Sequence, residues 1–280
     1  MLRIAVPNKG SLSRSATEML TEAGYRQRRA DRDLTAVDTR NNVEFFYLRP
    51  KDIATYVASG DLDLGITGRD LLIESGADAT ETLALGFGTS TFRYAAPHGT
   101  IDDISALSGQ RVATSFPTLV TADLAAHGVD ATVVRLDGAV ENAVGLGVAD
   151  AVADVVSTGA TLRQAGLTVF GEPIVESEAI LIRRRGSTDD ACAPLIRRLQ
   201  GVLVARGYVM LAYDVHAEAL DRAVALTPGI ESPTVSPLHR EGWVAVQSMT
   251  PRADVHAIMD ELYAIGARGI LVTDIHACRL

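Results

Sequence analysis

The stretch GVADAVADVVSTGATLRQAG, residues 147–166, carries the residue types best suited to gripping a phosphorylated ligand. An apolar run, AVADVV, stops at small hydroxyl residues and a glycine, and a helix-like pattern follows. Such a turn leaves several backbone N–H groups pointing one way. The helix behind it adds partial positive charge, so an anion is held without a basic side chain. Ser157, Thr158 and Thr161 add hydroxyl donors, and Gly159 lets the backbone approach closely. Asp154, just inside the strand, would repel a phosphate that it faced. It is better placed to accept hydrogen bonds from sugar hydroxyls, so the pairing of acid and loop points to a ribose phosphate. Small-hydroxyl strand–helix turns are also common in α/β folds, which leaves a purely structural turn open on the loop alone. The loop is neither a Gly-Lys-Ser/Thr phosphate loop nor a G-x-G-x-x-G dinucleotide turn.

Elsewhere charge is thinly spread. Lys9 lies between Asn8 and Gly10 ahead of a helix, where a lysine has little packing purpose. Arg49 and Lys51 stand at a loop start and are either solvated or anion-holding. Asp70 opens the helix after GITGR, where a dipole-stabilising acid gains about 0.5 kcal/mol. Glu141, after LDGAV, is a helix-surface charge or a ribose ligand. The six histidines are scattered and none is assigned a catalytic role.

The elements that must position these residues follow a repeating pattern. LRIAV (2–6), VEFFYL (43–48) and LDLGIT (62–67) are strand candidates, each followed by a turn and a helical stretch. Repeated strand–turn–helix units favour a parallel α/β sheet. The pattern restarts near residue 91 with FRYAAP, RVATSF, ATVVRL, AVADVV and LTVF, enough for a second α/β lobe. EAILIRR (178–184) is a further strand that could carry the chain back to the first lobe. Beyond about residue 190 a helix leads into the order β-α-β-β-α-β, the ferredoxin-like pattern. The expected division is 1–90 plus about 178–206 for the first lobe, 91–177 for the second, and 207–280 for the ferredoxin-like domain.

Composition removes several classes. With 26 Lys+Arg against 35 Asp+Glu, the net charge is −9, and no basic stripe offers itself to a nucleic acid. No apolar run reaches the length of a membrane span, and MLRIAVPNKG lacks the features of a signal peptide. Cys192 and Cys278 are spaced neither for a disulfide framework nor for zinc, which suggests free thiols in a reducing cytoplasm.

DVVSTGATL resembles the loop that binds 5-phosphoribosyl-1-diphosphate (PRPP) in phosphoribosyltransferases. The common type I enzymes carry two adjacent acids before it, and Ala153 occupies the first of those places here. The wider stretch, with Glu141, Gly147, Asp154 and the run Ser-Thr-Gly-Ala-Thr-Leu to Leu162, is similar without gaps to the signature of the ATP phosphoribosyltransferase family. VPNKGSLS, FFYLRPKDIATYV, GDLDLGITGRDLL, LALGFG and VVRLDGAVE resemble further segments of that family, so the likeness covers essentially the whole chain, including the C-terminal domain of the long form. Phe116 is a departure, standing where relatives often carry tyrosine.

The resemblance implies two lobes like those of periplasmic binding proteins, with the site in the cleft. It implies attack of adenine N1 of ATP on C1 of the PRPP ribose, with Mg²⁺ held mainly through substrate phosphates and no metal site of the protein's own. It extends the PRPP and nucleotide contacts to Glu141, Asp154, Val155, Ser157, Thr158, Gly159, Ala160, Thr161 and Leu162. Lys9, Arg49 and Lys51 are expected on pyrophosphate and triphosphate oxygens, and Asp70 near nucleotide. In the third domain it implies feedback binding of histidine, whose ammonium needs an acid and whose carboxylate needs donors. Asp214, Ser232 and Thr234 could supply them and Gly269 a close approach, although Asp214 could equally cap the next helix. A homo-oligomer between dimer and hexamer, sensitive to AMP, is also implied. The rival readings are a solute-binding protein without chemistry and a phosphoribosyltransferase acting on a free base.

Overall fold

Ile4, Ala5 and Val6 are fully buried in β1 (Leu2–Pro7), the strand around which the first lobe is built. A computed structural model describes residues 1–28, 33–156, 159–187 and 190–279. After β1 come α1 (Ser11–Glu22), β2 (Thr35–Asp38), β3 (Val43–Leu48), α2 (Pro50–Ser59), β4 (Leu64–Gly68), α3 (Arg69–Ser75) and β5 (Ala79–Ala84). Helix α1 buries Ala16, Met19 and Leu20, the spacing of a single helical face. Strand β3 alternates buried Val43, Phe45 and Tyr47 with half-buried neighbours, as a strand packed on one face should.

The second lobe runs through β6 (Ser90–Pro97), β7 (Arg111–Thr114), α4 (Pro117–Ala126), β8 (Thr132–Arg135), α5 (Asn142–Gly145), β9 (Ala151–Val156), α6 (Ala160–Gln164) and β10 (Leu167–Ser177). Strand β11 (Ala179–Arg184) then returns to the first sheet. The two sheets have the orders β2-β3-β1-β4-β11-β5 and β10-β6-β9-β7-β8. The chain therefore crosses between lobes twice, between Ala84 and Ser90 and again at Ser177–Ala179.

Neither sheet is the parallel sheet that the strand–turn–helix rhythm suggested. Strands β1, β3 and β4 are parallel, but β11 is antiparallel to β4 and β5. The reason lies in the entry point. Ala179, the first residue of β11, pairs with Gly68, the last of β4, so the returning chain has only the reverse direction open to it. In the second sheet β7 is parallel to β8 and β9, while β6 is antiparallel to β9 and β10. Phe92, Tyr94, Val112, Leu119 and Val120 pack one face of it, and Ala95, Ala113, Val152 and Leu162 the other.

The second compact unit comprises Glu22–Gly24 and Ala193–Leu280. It contains α7 (Ala193–Gly207), β12 (Tyr208–His216), α8 (Leu220–Leu226), β13 (Thr234–Pro237), β14 (Trp243–Pro251), α9 (Val255–Ala264) and β15 (Arg268–Asp274). Its strands lie in the order β13-β14-β12-β15, every neighbouring pair antiparallel, which is the ferredoxin-like arrangement. Val209, Leu211, Tyr213 and Val215 project from one face of β12 into a core shared with Val246 and Leu262. The contacts divide the chain at Cys192–Ala193 rather than near residue 206. Helix α7, with Leu195, Leu199, Val202 and Ala205 buried, thus groups with the C-terminal unit.

Candidate active site

Strand β9 sinks Ala151, Val152 and Ala153 completely, then rises to half-buried Asp154 and to Val155, 38% exposed. The strand end thereby places one carboxylate at the rim of the core. The Val155 N–H donates to Asp154 Oδ1 at 2.8 Å and fixes its orientation. Burial pushes the Asp154 pKa above its ordinary value of 3.8, and the charge of Glu141 adds to that shift against the Val155 hydrogen bond.

A cavity of about 190 Å³ opens here, lined by Glu141, Asp154, Val155, Val156, Gly159, Ala160, Thr161 and Leu162. Glu141 arrives from the start of α5, and the other residues flank the β9–α6 turn. Every described member of the loop set expected from the sequence lines this one cavity, and Val156 joins them. Ser157 and Thr158 lie outside the described residues. Gly159 sits at φ +69°, and a Cβ on it would lie 3.0 Å from Arg163 Nη1. The left-handed φ favours glycine, while the Arg163 tip could swing aside from a Cβ.

Lys9, Arg49 and Lys51 are exposed and gather at one edge of the first sheet. Lys9 follows β1 and Arg49 follows β3, whose last residues, Pro7 and Leu48, are paired. Lys51 lies in the first turn of α2. This is the carboxyl edge of parallel strands, where open α/β sheets bind ligands. None of the three is among the described residues lining the 190 Å³ cavity.

Asp70 belongs to the same edge, following β4, but it is only 8% exposed. Its N–H donates to Ser177 Oγ at 3.1 Å, and that hydroxyl donates back to Asp70 Oδ1 at 2.8 Å. The carboxylate is engaged in fastening the β4–α3 corner to the crossing segment. A Cβ on Gly68 would stand 2.3 Å from Asp70 Oδ1, so the corner also depends on that glycine.

Sequence reasoning missed a charged cluster beside this corner. Arg69 makes two 2.9 Å hydrogen bonds to the Glu81 carboxylate and a 3.3 Å contact with Glu178 Oε1. Its guanidinium holds the Glu81 pKa below the usual carboxylate range. Glu178 in turn accepts from the Gly86 N–H at 2.9 Å, joining the two crossings. A recess of about 380 Å³ is lined by Arg69, Thr89, Thr91, Val156, Glu176 and Ser177, among others, and shares Val156 with the first cavity. Partners 107 and 109 residues apart leave no local signal in a sequence. Phe116 packs its ring on Phe92 with centroids 4.9 Å apart.

In the ferredoxin-like unit Asp214 lies inside β12, half-buried, on the face opposite Tyr213 and Val215. It does not cap a helix, since the turn that follows begins after His216 and α8 starts at Leu220. Gly269 is at φ +61°, and a Cβ there would be 3.4 Å from Asp214 Oδ2. Asp214 and Gly269 are therefore adjacent. Thr234 pairs with Gln247, and Gln247 with Ala212, which puts Thr234 on the same sheet face as Asp214 but two strands away. Ser232 is exposed just before β13.

Comparison with known proteins gives a consistent result. A family model described as ATP phosphoribosyltransferase matches residues 49–201, and one described as the HisG C-terminal domain matches residues 205–277. The chain is 66% identical to ATP phosphoribosyltransferase from Salinispora tropica and 63% identical to that from Streptomyces avermitilis. It is 58% identical to the Mycobacterium tuberculosis enzyme, and each of the three matches covers 100% of both chains. Among solved structures, the ATP phosphoribosyl transferase (HisG:HisZ) complex from Thermotoga maritima superposes with TM-score 0.63 at 24% identity, over 72% of this chain and 98% of that one, a likeness of fold. The chain belongs to the ATP phosphoribosyltransferase family, in the long form that carries the C-terminal domain.

Proposed function

We propose that the 190 Å³ cavity of the second lobe holds the ribose 5-phosphate end of PRPP during the phosphoribosyl transfer to ATP that opens histidine biosynthesis. The observation that carries this is the convergence of Glu141, Asp154 and residues 159–162 on one cavity. The backbone amides of the β9–α6 turn and the Thr161 hydroxyl would take the 5-phosphate, and Asp154 and Glu141 the ribose hydroxyls.

Adenine N1 has a free lone pair and no proton at neutral pH, so its attack on C1 needs no general base. The N1–C1 bond forms as the C1–O bond to pyrophosphate breaks, and phosphoribosyl-ATP and pyrophosphate result. The demanding part is charge, on a ribosyl-cation-like transition state and on the departing pyrophosphate, and fixed cations and donors meet it best. Lys9, Arg49 and Lys51 at the carboxyl edge of the first sheet are assigned to the pyrophosphate and triphosphate oxygens. Mg²⁺ bound to those phosphates would neutralise further charge, and it commonly binds through substrate phosphates. Asp70, engaged with Ser177, serves the fold of the corner in this reading.

The ferredoxin-like unit is proposed to bind free histidine, with Asp214 accepting from its ammonium beside Gly269 and with Thr234 and Ser232 as donors to its carboxylate. Inhibition requires histidine to favour one conformation over another. Assembly as a homo-oligomer, between dimer and hexamer and sensitive to AMP, belongs to the same proposal, as does a cytoplasmic location.

One assay tests the catalytic reading. Protein, Mg²⁺, PRPP and ATP should yield the absorbance of phosphoribosyl-ATP, suppressed by histidine. Replacing Lys9 by Ala should cut turnover by more than about tenfold, equivalent to ~1.4 kcal/mol. A smaller loss in turnover would remove Lys9 from the mechanism.

A further inference from the structure

Helix α4 begins at Pro117 without a side-chain cap of its own, for Phe116 precedes it and offers no acceptor. Its first N–H groups need partners from elsewhere. They find them in the other lobe. Glu74, on α3 and half-buried, accepts from the Leu119 N–H at 2.9 Å and from the Thr118 N–H at 3.3 Å, one bond to each carboxylate oxygen. A carboxylate at a helix N-terminus is favoured by the dipole as well as by the bonds themselves. At the opposite end of α3, Asp70 is tied to Ser177 on the crossing segment. Helix α3 thus fastens the first lobe at two points, Asp70 and Glu74, roughly 6 Å apart along its axis, one at the crossing and one on the body of the second lobe. A tie at the crossing leaves rotation about it free; a second tie away from it restrains that rotation.

What Glu74 holds lies next to the site. The segment entering α4 continues β7, which runs parallel to β9, with Thr114 paired to Ala153, the residue before Asp154. The cations proposed for the phosphates stand on the first sheet, and the proposed ribose cavity stands on the second. Transfer between them requires the two edges to keep a set distance.

We propose that Glu74 is a positioning residue, whose carboxylate clasps the N-terminus of α4 and holds the two lobes in register for transfer. This rests on the assignment of PRPP to the second-lobe cavity and of the cations to the opposing edge. The test uses the full-length wild type with Glu74→Gln and Glu74→Ala, reading kcat, PRPP affinity by calorimetry and Tm. Wild type, Gln and Ala should fall in that order of kcat, with Ala down by about tenfold or more and PRPP affinity falling by clearly less, since the ribose end stays held by the second lobe alone. Gln retains one acceptor and should recover part of the rate, which a loss of stability alone would not produce. Equal kcat in all three, or PRPP affinity falling in step with kcat, overturns the proposal. If the Ala variant fails to fold, Gln decides: a kcat loss of about two- to fivefold that exceeds any loss of PRPP affinity supports it, and wild-type kcat sinks it. Asp154→Asn run alongside separates the two failures, since unchanged PRPP binding there indicts the cavity assignment and not Glu74.

Discussion

Asp154 combines two properties that oppose each other. It is proposed to accept from sugar hydroxyls, yet burial raises its pKa above 3.8, so its charge is held at a cost to the fold. The folded chain binds that proton more tightly than the unfolded chain does. The stability that protonation contributes is therefore present below pH 3.8 and lost as the pH rises through the folded value. Asp154→Asn should accordingly raise Tm near pH 7, with the gain fading toward about pH 4, while the KM for PRPP rises by about tenfold. Thermal melts across that range, with PRPP titrations at neutral pH, check both halves. An Asn variant less stable than wild type at neutral pH would contradict the burial argument. Gly159→Ala meets the cost of a left-handed φ of +69°. It should lose about 1 kcal/mol in urea unfolding and weaken PRPP more than ATP.

At the scale of elements, the corner between β4 and α3 ties Asp70, expected near nucleotide, to Ser177. An acid at a helix start looks alike whether it meets solvent, ligand or protein, and only the fold shows Ser177 against Asp70. Ser177→Ala would leave a buried carboxylate oxygen and a buried N–H short of a partner, and should cost about 1–3 kcal/mol in urea unfolding. Wild-type stability in that variant would mean the pair is dispensable. The loop around Gly159 was legible because its signal is local: an apolar strand, small hydroxyls, a glycine and one acid within a dozen residues. Strands β3, β9 and β12 were legible for the same reason, since each buries alternate or consecutive apolar residues of its own. Strand β2 was not. It is an edge strand with Thr35 and Val37 exposed, ordered by pairing with β3 and not by its own burial. Strand β5, ATETLA, is likewise an edge with a single buried residue, and its place depends on β11, about a hundred positions later. The reversed direction of β11 and the reach of Glu74 across the lobes share that non-local origin.

At the scale of the whole molecule, the proposal couples two ligands, one on the catalytic core and one on the ferredoxin-like unit. If histidine favours one conformation, its calorimetric binding should produce heat, and inhibition should follow the same concentration dependence. Asp214→Ala should remove both, and heat without inhibition would leave a binding domain that regulates nothing. The carboxyl edges of both sheets carry the proposed contacts, while the β-α-β-β-α-β unit supplies none of the catalytic set. The proposed catalysis depends on where the sugar diphosphate sits. A crystal structure with PRPP and Mg²⁺ bound tests this most directly. It should show the 5-phosphate against the amides that follow Val156 and the ribose hydroxyls on Asp154. A sugar lodged elsewhere, with that turn vacant, would contradict it.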